Sequence, residues 1–235
     1  MSAKHAHQLI NSSATVEWFT PERYIELARA VLGKIDLDPA SCEAGNRIVK
    51  ADRYFTETDN GYLQEWHGRI FLNPPYSWCY PDGKIPPAEY DENGKKKQGK
   101  PKGCVGAQEL WSQRLIQQYQ AGNVTAAILL VNACVGDAWF IPLMHDYPIC
   151  FVDRRIRFIA GEHTDLKTAP TKGNSFVYFG DHPDRFEEVF QAVGLVVLPA
   201  IEHEDRGVTD NNCAATCAIT TRNSEASVTD NNYGP

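Results

Sequence analysis

Asn73-Pro74-Pro75-Tyr76 follows the short apolar run Ile70-Phe71-Leu72, and its groups are suited to holding an amine that projects from a flat ring. Two adjacent prolines fix two φ angles and remove two N–H donors, so the backbone turns stiffly and leaves carbonyls free to accept. An exocyclic amine on a heteroaromatic ring carries two N–H donors. The Asn73 side-chain oxygen and the Pro74 carbonyl can take one each. Tyr76 adds an aromatic face for the ring. The lone pair of such an amine is delocalised and weakly nucleophilic. Two acceptors at fixed angles pull its nitrogen toward tetrahedral geometry and stabilise the positive charge that grows during attack on an electrophilic methyl. No strong base is needed. Taken alone, the four residues also fit a strand ending in a Pro-Pro turn beside an incidental tyrosine.

A turn of this kind needs a scaffold, and the flanking sequence predicts an α/β one. Thr20 as N-cap and Pro21 at the first helical position predict a helix over Glu22–Leu32, with Tyr24, Leu27, Ala28 and Val31 at helical spacing. Lys34 to Asp38 reads as a short strand that stops at Asp38-Pro39-Ala40-Ser41. A strand ending in an acidic residue and a tight turn is how doubly wound folds open a ligand crevice. Farther on, Glu109–Tyr119 predicts a helix that buries Leu110, Leu115 and Ile116, and Ala126–Val131 a strand covered on both faces. Ser175–Phe179, Arg185–Ala192 and Leu195–Leu198 read as strand, helix and strand. Trp139 and Phe140 suit either the border of a base pocket or the core, with core packing the commoner fate.

In chain order, four blocks resemble the phage-type DNA N(6)-adenine methyltransferases. They are Trp18-x-Thr20-Pro21, Leu37-Asp38-Pro39-Ala40, Asp59-Asn60-Gly61-Tyr62-Leu63 with Trp66, and Asn73-Pro74-Pro75-Tyr76-Ser77. Weaker matches follow at Trp111, placed ahead of a helix, at Ala138-Trp139-Phe140, at Arg154-Arg155-Ile156-Arg157-Phe158 and at Ser175 to Gly180. The resemblance implies a Rossmann-like sheet with helices on both faces that binds S-adenosylmethionine. It implies an adenine-specific, site-specific methyltransferase acting on the N(6) amine of a base flipped out of DNA. Asn73, Pro74 and Pro75 would hold the amine and Tyr76 would stack on the base. Trp18, Thr20, Pro21, Asp38, Pro39 and Ala40 would lie against the methionine and sulfonium end of the cofactor, and Asp59 near its adenine or ribose, with Asp52 the competing residue. The chain departs from the pattern in having no Gly-x-Gly in its first block and a short span between Asp38 and Asn73. Phage or prophage origin, a bacterial cytoplasm and a place in restriction-modification go with the resemblance. The same turn also serves methyltransferases of RNA bases and of protein glutamine, and an inactive DNA-binding module would keep the same fold.

At 235 residues and 43% hydrophobic content, the chain supports one sizeable core. Residues 15–202 are expected to form it, with a flexible start at 1–14, an inserted basic loop at 79–106 and a disordered tail at 203–235 that repeats Val-Thr-Asp-Asn-Asn. Seven cysteines form no metal-spaced pair, and their odd number without a signal sequence suggests reduced thiols in a cytoplasm. No metal and no membrane partner is expected. A net charge of −7 means that a DNA binder must concentrate its cations locally. Lys95, Lys96, Lys97, Lys100 and Lys102 do so in the insert, with Ser77 ahead of it as a further expected DNA contact; Arg154, Arg155 and Arg157 do so after the apolar run Ile149–Val152. A solvated loop is the usual fate of such a lysine run. If the arginine segment is extended, Arg155 and Arg157 share one face, and Ile156 and Phe158 the other. Nothing in the sequence sets an oligomeric state, and a monomer is the simplest expectation.

Overall fold

A computed structural model describes residues 18–94, 97, 99–160 and 172–199. The expected flexible start, the tail at 203–235, Lys95 and Lys96 lie outside them. In chain order the elements are β1 (Trp18–Phe19), α1 (Glu22–Leu32), β2 (Leu37–Asp38), α2 (Glu43–Val49), β3 (Arg53–Tyr54), β4 (Gly68–Leu72), β5 (Trp78–Cys79) and β6 (Val105–Gly106). There follow α3 (Ala107–Gln120), β7 (Val124–Asn132), α4 (Ile141–Asp146), β8 (Ile149–Val152), β9 (Ile159–Ala160), β10 (Asn174–Phe179), α5 (Pro183–Phe190) and β11 (Gly194–Val197).

Among the described residues the main sheet has the order β11-β8-β10-β7-β4-β2-β3. The pairings make β2, β3, β4, β7 and β8 run one way and β10 and β11 the other. Side chains alternate across it. On β7, Ala127, Leu129 and Val131 join Trp111 and Leu115 of α3 and Leu143 of α4 on one face. Ile128 and Leu130 join Tyr24, Ile25 and Ala28 of α1, Val49 of α2, and Phe186 and Phe190 of α5 on the other. Helices therefore cover both faces of a Rossmann-like sheet, and the unbroken apolar run of β7 follows from burial on two sides.

The connection from β2 goes to β3 on one side, and the chain then crosses to β4 on the other. Chain paths that part in this way leave a crevice at the carboxyl ends of the two central strands. Leu37 pairs with Ile70, so Asp38, which ends β2, and Asn73, which follows β4, stand at the same edge.

The structure corrects several local readings. Thr20 is not the N-cap of α1: Pro21 holds that position with no side-chain cap, and Glu22 is the first helical residue. Thr20 is buried at 4% exposure and turned toward Asn73 instead. The buried stripe of α1 is Tyr24, Ile25, Ala28 and Leu32, with Leu27 and Val31 only partly covered. Trp111 lies within α3, not ahead of it. Residues 153–158 form no strand, although Ile156 is buried while Arg154, Arg155 and Arg157 are exposed.

The block from Asp59 to Trp66 braces the crevice. A Cβ on Gly61 would lie 1.9 Å from the Pro39 carbonyl oxygen and 2.8 Å from the Phe55 Cβ, so only glycine lets this turn close on the Asp38-Pro39 turn. Trp66 Nε1 donates to the Gly61 carbonyl at 2.8 Å, and Arg114 of α3 lies over the Tyr62 and Trp66 rings. Gly83, at φ +85°, lets the insert approach Tyr62. Gly61→Ala is expected to cost roughly 2–3 kcal/mol through overpacking. That lowers Tm by about 5–10 °C in a domain of this size. A melting curve unchanged from wild type would show that the contact is not limiting.

Candidate functional site

Asn73 is the centre of the site. Its Nδ2 donates to Thr20 Oγ1 at 3.4 Å, which orients the amide. Its Oδ1 is buried and has no hydrogen-bond partner among the described residues. Leaving a buried acceptor unmade costs about 1–3 kcal/mol, a penalty that folded proteins keep mainly where a ligand relieves it. Pro74 behind it is buried and Pro75 half-buried, so the stiff turn fixes the amide against the sheet edge.

Asp38 is 3% exposed. Oδ1 accepts from the Ala40 N–H at 3.2 Å, and the Ser41 hydroxyl is a second donor. Neither partner is cationic. Burial outweighs both bonds and pushes the carboxyl up to about 7. A carboxylate held so is a ready partner for a cation that arrives with a ligand.

From Tyr76 of the same turn toward the end of β7 opens a cavity of about 760 Å³, within the size range of small-molecule sites; Asn73 and Asp38 are not on its wall. Trp18, Tyr76, Ser77, Trp78, Phe158 and Asn174 are on its wall. β1 reaches it by pairing with β9, Trp18 opposite Ala160, which also draws in Phe158. The Tyr76 ring, 42% exposed, meets Phe158 edge to face at 5.9 Å. Its hydroxyl end points inward to Asn174 Nδ2 at 3.4 Å, and burial of that end raises its pKa. Asn174 also donates to Asn132 Oδ1 at 3.5 Å, and Gln108 Oε1 accepts from the Asn132 N–H at 3.0 Å. The network sets the height and tilt of the Tyr76 ring.

If Asn174 acts through that hydroxyl, Tyr76→Phe and Asn174→Ala should each lower kcat/KM by about fivefold, the worth of one hydrogen bond. The double variant should then lose no more than either single. Multiplicative losses would show that Asn174 works independently of Tyr76.

Other sequence-derived residues fall farther out. Asp59 is exposed, and its carboxylate accepts from the Thr56 hydroxyl at 2.7 Å and the Thr56 N–H at 2.8 Å, bonds that hold it below the usual carboxylate range. Asp52 accepts from Lys34 Nζ at 2.8 Å in an exposed pair. In the insert, Trp78 pairs with Gly106 and Cys79 with Val105, and the Ala107 N–H donates to the Ser77 carbonyl at 2.9 Å, so both ends of the loop are tied at the cavity. Burial pushes the Cys79 thiol up to about 11, consistent with a structural rather than reactive role. Lys97 is paired with Glu89 at 3.3 Å, Lys102 is exposed, and Lys100 lies on the cavity wall. Arg154, Arg155 and Arg157 flank Ile156 on the segment that delivers Phe158.

Sequence reasoning missed Gln108, Asn132, Asn174 and Trp78. Asn132 had a usable signal, a polar residue ending an apolar parallel strand. Asn174 had none, because it enters at the amino end of an antiparallel strand. Among the described residues no group of His, Cys, Asp and Glu is placed to hold a metal ion, and no helix is long and apolar enough to cross a membrane.

A family model described as DNA N-6-adenine-methyltransferase (Dam) matches residues 9–194. No curated protein and no solved structure matches the chain.

Proposed function

We propose, on the premise that the chain belongs to the DNA N-6-adenine-methyltransferase (Dam) family, that it moves the methyl of S-adenosylmethionine to N6 of an adenine turned out of the DNA stack. The observation that carries this reading is the buried, unpartnered Asn73 Oδ1 at the edge of the crevice. It accepts one N6 proton and the Pro74 carbonyl the other, so both lone acceptors face the nitrogen as positive charge develops on it. Thr20 keeps the amide oxygen, rather than its NH₂, turned toward the base. Tyr76 and Phe158 offer ring faces to the adenine, which offsets part of the few kcal/mol lost on unstacking.

The residues at the crevice fit the cofactor. When bound, S-adenosylmethionine supplies an electrophilic methyl on a sulfonium and carries an ammonium. Asp38, buried without a cationic partner, suits that charge, with Thr20, Pro21, Pro39, Ala40 and Trp18 around the same edge. Asp59, exposed and bonded to Thr56, is the less buried of the two carboxylates proposed for the cofactor. Ser77, Lys95, Lys96, Lys97, Lys100, Lys102, Arg154, Arg155 and Arg157 are proposed to meet DNA phosphates, whose attraction does not depend on sequence. A role in phage or prophage DNA modification within a bacterial cell goes with the same reading.

Methyl-labelled S-adenosylmethionine incubated with unmethylated genomic DNA, RNA and bulk protein in parallel tests it. Label is expected in DNA alone. Label confined to RNA or protein would replace the substrate, and none in any of the three would remove the activity.

A further inference from the structure

Trp78 is out of place for a structural residue. Its neighbour on β5, Cys79, is fully buried, whereas Trp78 is 39% exposed at the cavity rim. Tryptophan supplies a large apolar face that is seldom left in water without a use. The Lys100 ammonium lies 5.8 Å from the centroid of the indole ring. Tyr80 and Tyr90 of the same insert are exposed as well. A ring next to a cation matches a nucleotide, which presents a π face and a phosphate together, and aromatic residues interleaved with lysines are the usual means of holding unpaired bases. Trp78 follows Tyr76 by two residues, and both line one cavity, so a base on Trp78 adjoins the base on Tyr76.

Building on the reading of the chain as a DNA adenine methyltransferase, we infer that Trp78 and Lys100 form a second nucleotide site, which takes the unstacked neighbour of the target adenine on the same strand. Trp78 stacks on that base and Lys100 meets its phosphate. The enzyme thereby engages DNA opened over more than the target nucleotide alone, and single-stranded DNA binds through the same two residues.

The test is binding of a fluorescein-labelled single-stranded deoxyadenosine oligonucleotide of about 12 nucleotides, a length within the range of single-strand sites. The full chain is compared with Trp78→Ala, Trp78→Phe and Lys100→Ala. Trp78→Ala is expected to bind about tenfold more weakly, the loss of one stacked base. Trp78→Phe should keep most of the affinity while losing the share of the oligonucleotide-induced fluorescence quenching that comes from Trp78, leaving only what Trp18 and Trp139 on the same cavity contribute. Lys100→Ala should lower the slope of log affinity against log salt by about one. Undiminished quenching in Trp78→Phe, or wild-type affinity in Trp78→Ala, would overturn the site. Because this assay needs no methyl transfer, the two readings fail separately. Trp78-dependent binding by a protein that methylates no DNA refutes the activity and leaves the site standing; DNA methylation with Trp78-independent binding refutes the site alone.

Discussion

Asn73→Ala is expected to slow methyl transfer about 100- to 1,000-fold, the cost of losing one preorganised group that acts on developing charge. Cofactor affinity should stay near wild type. The substitution removes the buried, unpaired side-chain acceptor of the turn but leaves Pro74, Pro75 and the sheet edge intact, so the base still enters and one N6 proton goes unpaired. It also frees Thr20 from its 3.4 Å bond, a weak contact at an exchangeable hydroxyl. Asn73→Asp keeps an acceptor oxygen and should retain more activity than the alanine variant. The two variants, measured by single-turnover methylation beside cofactor titration, separate transition-state loss from binding loss. A parallel fall in rate and cofactor affinity in both would mean that Asn73 shapes the cofactor site instead.

The second large effect belongs to Asp38 and depends on pH. Its carboxyl is raised to about 7 in the folded protein by burial, against an ordinary value near 4. Between those two values the folded state holds a proton that the unfolded state has released, so the ligand-free protein loses stability as pH rises through that window. Binding a cation reverses the preference and draws Asp38 to its ionised form. Cofactor affinity is therefore expected to climb about tenfold from pH 6 to pH 8, and then to level off. Asp38→Asn should flatten this profile. It should weaken binding at pH 8 by at least about tenfold, as expected for loss of a hydrogen-bonded charge. Calorimetric titration at the two pH values is the check; pH-independent affinity in the wild type would remove Asp38 from the cofactor site.

The chemistry-bearing turn was legible because it is local: Asn73-Pro74-Pro75-Tyr76 and Asp38-Pro39 announce themselves by residue type, the first directly after the apolar end of β4 and the second at the end of β2. So was the α/β class, since β7 and α1 carry strong patterns along one stretch of chain. What escaped the sequence depends on contacts between distant residues. Thr20 reads as a helix cap from its neighbours, but the carboxamide 53 positions away takes its hydroxyl. Asn174 reaches Tyr76 across 98 positions through the reversed strand β10. β3 is two residues long, too short to carry a period, and is a strand only because its backbone pairs with β2, which was expected from Lys34 to Asp38 and is present at Leu37–Asp38. The arginine segment sets Arg155 and Arg157 against Ile156 and Phe158, a pattern that a strand would share, yet among the described residues no strand pairs with it.

The central claim is that the Asn73 carboxamide oxygen presents adenine N6 to the methyl donor. The most direct measurement is nucleoside analysis of DNA that begins without adenine methylation and is treated with S-adenosylmethionine and either wild-type protein or Asn73→Ala. N6-methyladenine is expected with the wild type and to fall at least about a hundredfold with the variant. Methyl on cytosine instead of adenine, or equal N6-methyladenine from both proteins, would contradict it.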